Sequence, residues 1–366
     1  MKFKCERSVL QKEIAIANEI IASKNVISIL SNIYLEAADS SLTIRATDMK
    51  VNFETKVPVE VVEPGSVTVY ADKFAGILNS IPDGEMEFEQ KESRINIGTA
   101  VKKAKFQLKS IASDKFPEFS AAGKEFFQMP IRDLKSMIKE TIFAVSNDET
   151  RHFMNGLFFE KSEGKFIMVA TDGRRLAFIN KPAEKAPADF SGVIIPSKIL
   201  NLVLKRAGEE GNVDVCVSDK NIFIQFGSYK LSSVLIEGQF PNYRRVIPES
   251  QLNKFKVNRV EMLDALRRVS LLVEEKSHRV YLGLSSGMIS VYCEENDIGN
   301  AREEISCTYE GEEQTIALNY RYLEEPFKVM TADEINILFT DPNKTITIMP
   351  VPEQDFFHIV MPMQQE

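Results

Sequence analysis

"MNGLFFEKSEGKFIMVATDGRRLAFI", Met154 to Ile179, holds three short apolar runs parted by two turn signals. Leu157 to Phe159 form the first run, Phe166 to Ala170 the second and Leu176 to Ile179 the third. Between the first two lies the polar stretch Lys161 to Lys165, with Gly164 placed to take positive φ. Thr171, Asp172 and Gly173 form the other turn, since Asp-Gly enters the left-handed region cheaply. The stretch predicts a three-stranded antiparallel meander. Arg174 and Arg175 then sit at the lip of an apolar strand. They are either a solvated hairpin tip or the edge of a groove that meets a partner.

Working outward, the chain repeats itself. "FKCERSVLQKEI" from Phe3, "FQMPIRDLKSMI" from Phe127 and "FKVNRVEMLDAL" from Phe255 open alike, with a strand start, a break and a helix pattern. A spacing of about 125 residues means duplicated domains, not a solenoid of short repeats. The opening helices carry apolar residues at helical spacing. These are Val9, Leu10, Ile14, Ala17 and Ile21, then Leu134, Met137, Ile138 and Ile142, then Leu263, Leu266, Val269 and Leu272. A second helix follows half-way through each unit, with Asp72 as an N-cap, Pro196 as a helix start and Asn319 as a third start. Pro326 is expected to break or kink that last helix. Short strand pairs fill the remainder, so each unit reads as two helices and about eight strands. The expected domains are residues 1–122, 123–252 and 253–366, an α+β chain with polar, aperiodic stretches at the joins.

Composition narrows the function. The 366 residues are 44% hydrophobic and 27% charged, an ordinary balance for a globular chain. The N-terminus is charged where a signal peptide needs an apolar run, and no stretch is long enough to span a membrane. Cys5, Cys216, Cys293 and Cys307 lack metal-site spacing and read as buried thiols of a reducing cytoplasm. No metal or other cofactor is expected, because no phosphate loop, nucleophile elbow or zinc pattern is present. A hydrolase would have to use Asp172 and His152, and that class stays open beside a static interaction scaffold.

Net charge is −8, yet the charge is unevenly spread. The predicted helices sum to a positive value, led by Lys198, Lys205 and Arg206 on a helix with no acid of its own, while the rest is strongly acidic. Helix-dipole and solubility chemistry explains such a pattern. So does a helix-lined positive surface facing a polyanion, with contacts to phosphates and none to bases.

Three separated motifs carry a resemblance: "MNGLFFE…MVATDGRRLA", "GQFPNYRRVIP" from Gly238 to Pro248, and "VMPM" from Val360 to Met363. In that order they resemble the bacterial sliding clamp family, beta subunits of DNA polymerase III, and the resemblance runs the length of the chain. It implies three similar DNA-clamp domains, helices lining the inside of a ring and antiparallel sheets outside. It implies no catalysis, a cytoplasmic processivity factor and a head-to-tail homodimer around double-stranded DNA, held without sequence preference. The implied partners are the polymerase catalytic subunit, the clamp loader, repair polymerases and other clamp-motif proteins, and no membrane.

By position the resemblance implies a partner-peptide cleft of Met154, Thr171, Gly173, Arg174, Arg175, Leu176, Pro241, Arg245, Val246, Asn319, Val360, Met361, Pro362 and Met363. Arg174 stands where the family often has His, and Gln364 where it often has Arg. DNA contacts would come from Lys24, His152 and Phe153, together with Lys198, Lys205 and Arg206 on the basic helix. His152 departs from a usually aromatic pair, and Asp148 replaces a polar residue. The subunit interface would join Lys73, Lys103, Lys105, Phe106 and Leu108 on the first unit to Leu271, Leu272, Glu303 and Glu304 on the third. The apolar tail bears on the cleft independently: Pro362 interrupts a strand ladder, and Met361 and Met363 are flexible thioethers suited to an adaptable surface.

Overall fold

Glu163 and Gly164 both take positive φ, 53° and 71°, and close a two-residue hairpin that sets Ser162 opposite Lys165. Such primed turns match the twist of the strands they join. The computed structural model describes residues 1–21, 28–99, 104–123, 125–183 and 190–364.

The first repeat runs β1 (Lys2–Glu6), α1 (Arg7–Ile20), β2 (Asn32–Ala38), β3 (Ser41–Thr47), β4 (Val51–Pro58), β5 (Glu60–Glu63), β6 (Gly65–Tyr70), α2 (Ala71–Ser80), β7 (Glu85–Lys91), β8 (Arg94–Thr99) and β9 (Lys105–Ile111). The second runs β10 (Phe127–Pro130), α3 (Ile131–Lys139), β11 (Gly156–Ser162), β12 (Lys165–Thr171), β13 (Arg175–Pro182), β14 (Phe190–Pro196), α4 (Ser197–Arg206), β15 (Asn212–Val217), β16 (Asn221–Phe226) and β17 (Tyr229–Val234). The third runs β18 (Asn253–Asn258), α5 (Arg259–Val269), β19 (Arg279–Ser285), β20 (Met288–Cys293), β21 (Ala301–Ser306), β22 (Gln314–Asn319), α6 (Tyr320–Val329), β23 (Glu334–Phe339), β24 (Ile346–Val351) and β25 (Phe356–Val360). The predicted meander is β11, β12 and β13, antiparallel throughout.

The compact units cut across this repeat. One holds Met1–Ile131 with Asn201–Leu235, and the other holds Arg132–Leu200 with Ile236–Glu366. The cause is edge pairing. Strand β17 of the second repeat pairs with β4 of the first, Leu231 opposite Phe53, within a 13-stranded sheet. Strand β13 of the second repeat pairs with β25 of the third, Ala177 opposite His358, within an eight-stranded sheet. A four-stranded sheet, β21-β20-β19-β22, completes the second unit. Each pairing satisfies a row of backbone groups that would otherwise be open to aggregation. The second repeat thus divides into two halves, each completing a neighbour's sheet.

Several local expectations shift. On α1 the buried face is Leu10, Glu13, Ile14, Ile16, Ala17 and Ile20, while Val9 is exposed. The expected Ile21 lies just past the helix end, half-buried. Buried Glu13 is met on one oxygen by Tyr229, whose hydroxyl donates to Oε1 at 3.0 Å, while Oε2 has no hydrogen-bond partner among the described residues. Asp72 is not the cap of α2. Tyr70 holds that position, and Asp72 falls in the first turn, where a carboxylate suits the helix dipole. Pro196 closes β14 opposite Gly156, and α4 begins one residue later. Pro326 does not break α6, which continues to Val329. An interior proline costs about 3 kcal/mol, and burial of Pro326 and Phe327 against the core offsets it. Leu272 ends a short 3-10 turn, Ser270–Leu272, rather than α5 itself. Cys5, Cys216 and Cys293 are buried as expected, and Cys307 only partly. Burial pushes the Cys5 thiol up to about 12.

Candidate functional site

Asp172 builds the turn between β12 and β13 from its own side chain. One carboxylate oxygen accepts from the amides of Arg174 and Arg175, at 2.9 and 3.1 Å. The other accepts from Arg175 Nε at 3.0 Å. Thr171 Oγ1 donates to the Arg175 carbonyl and accepts from the Gly173 amide. Gly173 has φ +87°, and a Cβ there would stand 2.9 Å from the Arg151 guanidinium. The positive φ is what favours glycine here, since the flexible Arg151 side chain can move aside. With its carboxylate so engaged and His152 an exposed side chain, Asp172 is a structural cap and not half of a hydrolytic pair.

Arg175 ties this turn to the rest of the unit. Its side chain is 10% exposed and pairs with Asp172 and with Glu325 of α6. It also donates to the Phe143 carbonyl at 2.6 Å, and its guanidinium lies over the rings of Tyr322 and Phe143. The expected solvated tip is therefore half right. Arg174 is exposed, while Arg175 is a half-buried hub.

The chain terminus is fixed beside it. The Met361 amide donates to the Arg174 carbonyl, and the Met363 amide donates to the Ala317 carbonyl on β22. An almost wholly apolar cavity of about 130 Å³ opens here, lined by Met154, Leu176, Pro241, Val246, Ile359 and Met361. Thr171, Gly173, Arg174, Arg175, Tyr243 and Thr345 complete it. Beneath lies a core cluster of Ile167, Val169, Leu176, Ile194, Phe240, Tyr243 and Ile359. Tyr243 donates to buried Glu160 at 2.7 Å, and burial and that carboxylate hold its phenol well above the usual range. A larger groove of about 1000 Å³ adjoins, reached by Asn319, Pro362, Met363 and Gln364. Asn319 also caps α6, accepting from the Arg321 amide.

Two expected cleft residues line neither cavity. Val360 is wholly buried in β25, and Arg245 is exposed in the turn Tyr243–Arg245. Tyr243, Thr345 and Ile359 were not expected. Tyr243 lies inside a quoted motif, and an aromatic ahead of two arginines was the available signal. Thr345 and Ile359 carry none.

Of the expected DNA contacts, Lys24 lies outside the described residues. His152 and Phe153 sit in the turn Glu149–Met154, which Asp148 caps by accepting from Thr150. On α4, Lys205 and Arg206 both reach Glu19 of α1, at 3.0 and 3.1 Å. The helix has no acid of its own, yet its neighbour supplies one. Lys198 is half-buried on the same helix.

Of the expected interface residues, Lys103 lies outside the described residues. Lys73 is exposed and pairs with Asp72. Phe106 and Leu108 are half-buried on β9, opposite Ile97 and Ile95 of β8. Strand β6 covers only Ser110 and Ile111, so from Lys105 to Lys109 the other edge of β9 is open among the described residues. Strand β21 is likewise an open edge of its sheet. Leu271 is 77% exposed near it. Glu303 is clasped by Arg268, which holds its carboxyl below the usual range, and Glu304 accepts from Ser290.

Comparison with known proteins accounts for all three repeats. Models of the DNA polymerase III beta subunit match as N-terminal domain over residues 1–120, central domain over 128–242 and C-terminal domain over 244–364. The beta sliding clamp of Treponema pallidum is 48% identical over 371 residues, covering 100% of both chains. That of Caulobacter vibrioides is 31% identical over 376 residues, again with full coverage. A crystal structure of the Pseudomonas aeruginosa clamp bound to griselimycin superposes over 100% of both chains with TM-score 0.94 at 26% identity. The Bacillus subtilis clamp superposes equally well, 0.94 at 25% identity, also over 100% of both chains. The chain belongs to the DNA polymerase III beta subunit family, and is a non-catalytic DNA sliding clamp of three clamp domains.

Proposed function

We propose that two copies of this chain close head to tail into a ring around duplex DNA in the cytoplasm. The ring tethers the polymerase catalytic subunit, the clamp loader and repair polymerases through the cavity beside Leu176. The observation that carries the tethering is that cavity: six apolar side chains over a packed core, with the chain's own tail hydrogen-bonded along one wall. Apolar anchors of a short peptide gain most in such desolvated pockets. Ring closure is supported by the two open strand edges, β9 and β21, on the first and third repeats. Two different ends on one chain join in a closed pair about a two-fold axis. Lys198, Lys205 and Arg206 would face phosphate, and the exposed pairs with Glu19 oppose this weakly.

The test is topological. Protein loaded on closed circular DNA is expected to stay through high salt and to leave once the circle is cut. Equal loss from circles and linear DNA would overturn the reading. Equal retention on both would favour a static scaffold.

A further inference from the structure

The turn that shapes the apolar cavity has a twin in the first repeat. Ala46-Thr47-Asp48 leaves β3 as Ala170-Thr171-Asp172 leaves β12. Thr47 Oγ1 accepts from the Met49 amide, and one Asp48 oxygen accepts from the amides of Lys50 and Val51. Thr171 and Asp172 make the same three bonds to Gly173, Arg174 and Arg175. Met49 has φ 72° where Gly173 has φ 87°. A strand end is fastened to each turn alike: the Val234 amide donates to the Lys50 carbonyl, as that of Met361 does to Arg174. The segment "FPEFSAA" from Phe116 corresponds to "FPNYRRV" from Phe240.

The backbone is kept and the lining is changed. Leu176 pairs with Thr171 and Ile359 across its neighbouring strands, whereas Asn52 pairs with Thr47 and Ser232. A cavity of about 220 Å³ opens over Asn52 and Ser232, with Phe119, Phe223 and Gln225 among its walls. Thr47 Oγ1 donates to Asn52 Oδ1 at 2.6 Å, and Asn52 Nδ2 donates to Ser232 Oγ at 3.0 Å. Successive donors in such a chain polarise one another. The chain ends on Ser232, which is 7% exposed and whose own hydroxyl proton has no acceptor among the described residues. A buried donor left unused carries a desolvation cost that an incoming acceptor relieves. The Gln225 carboxamide also has no hydrogen-bond partner among the described residues. Glu54 lines the cavity too, and it is already paired with Arg45 and Lys230. A second carboxylate would meet Glu54, so the acceptor that fits is uncharged.

We infer that this twin is a second peptide site, which takes a glutamine or asparagine side chain where the first takes an apolar one. The inference rests on the apolar cavity being the partner cleft. A carboxamide supplies the oxygen that Ser232 lacks and N–H groups for the Gln225 oxygen, and its flat faces suit the two aromatic walls. A peptide carries it because the turn beside the cavity presents apolar surface for the next side chain: Met49 is 57% exposed and Val234 42%. Specificity follows from the lining. A site that hydrogen-bonds its ligand rejects an apolar analogue strongly, because its own polar groups are then left unpaired.

The test titrates methyl-labelled full chain with blocked pentapeptides and follows methyl resonances by NMR. One peptide has a central Gln-Leu, a second replaces that Gln by Glu, and a third has a central Leu-Phe. The Gln-Leu peptide is expected to move Ala122, Leu231 and Val234 and to leave Leu176 and Ile359 in place. The Leu-Phe peptide should do the reverse. Ser232→Ala, which removes only the hydroxyl, is expected to weaken the Gln-Leu peptide about fivefold and to leave the Leu-Phe peptide unchanged. If the Gln-Leu peptide moves no resonance, or moves only Leu176 and Ile359, the second site does not exist and the cleft stands. If the Glu peptide binds the second cavity more tightly than the Gln peptide, the assigned ligand chemistry is overturned. If the Leu-Phe peptide fails to move Leu176, the cleft reading falls and this inference falls with it.

Discussion

Leu176 and Leu271 are both apolar side chains placed for contact, and their surroundings are opposite. Leu176 is 4% exposed and forms the floor of a cavity whose depth the folded chain supplies by itself. Leu271 is 77% exposed on a short turn beside an open strand edge. The first site is desolvated in advance, so a small ligand gains from it. The second gains nothing until another surface excludes water over a whole patch. On the proposed reading, the difference separates a surface that exchanges partners from one that a second copy covers.

Removing exposed Leu271 and half-buried Leu272 should break that contrast most severely. Leu271→Ala with Leu272→Ala is expected to give a folded monomer that keeps its peptide affinity. Two apolar truncations at a buried contact should weaken dimerisation about a hundredfold, and retention on circular DNA should disappear with it. Sedimentation velocity at micromolar concentration reads the first effect. A variant that remains dimeric would place the junction elsewhere. Charged pairs at such a junction set register and on-rate, so Glu303 and Glu304 should matter less than the leucines.

The cavity should fail in the other way, through its support. Arg175→Ala leaves Asp172 and Glu325 without their shared cation and the Phe143 carbonyl without its donor. Leaving a part-buried, hydrogen-bonded charged group without its partner costs about 1–3 kcal/mol. The urea transition of Arg175→Ala should move to clearly lower concentration, with peptide binding lost even where the unit is folded. Arg175→Lys keeps the charge but not the forked donors, and should fall between. An unchanged transition in Arg175→Ala would show that the hub is ornamental.

The sequence was legible where local chemistry decides. Asp-Gly after an apolar run set the hinge of the meander, and Asn319, expected as a helix start, caps α6 from one residue before it. The repeat was visible because each unit opens on the same strand-to-helix pattern. What stayed hidden depends on distant partners. No local signal says that β17 completes the sheet of another repeat, since edge pairing is chosen by shape and register. Nor could the sequence show that Glu19 meets Lys205 and Arg206, or that Arg175 is half-buried while Arg174 is exposed. The candidate cleft was drawn from motifs, so it gathered Val360, which the strand turns inward, and omitted Ile359, which the strand turns outward toward the cavity.

The smallest effect lies under the cavity, at His358. This side chain is 1% exposed, and its Nε2 stands 3.7 Å from Glu140 Oε2, too far for a hydrogen bond. Its ring contacts are aromatic, with Phe143 and Phe356. Burial drives its imidazole below the ordinary 6.5, against the opposing pull of Glu140 and with the help of Arg175. Below pH 6.5 the unfolded chain takes up a proton that the folded chain refuses, so the stability present above that pH is lost as pH falls toward the folded value. One proton limits the slope to about 1.4 kcal/mol per pH unit. Thermal melting should therefore drop between neutral and mildly acidic buffer. His358→Phe, which suits the aromatic surroundings, should flatten that part of the profile. Half-buried His278 is shifted the same way and, being closer to water, should contribute less. If the acid slope of His358→Phe matches wild type, carboxylates elsewhere carry the pH dependence. The strand that backs the cavity would then be insensitive to its own histidine.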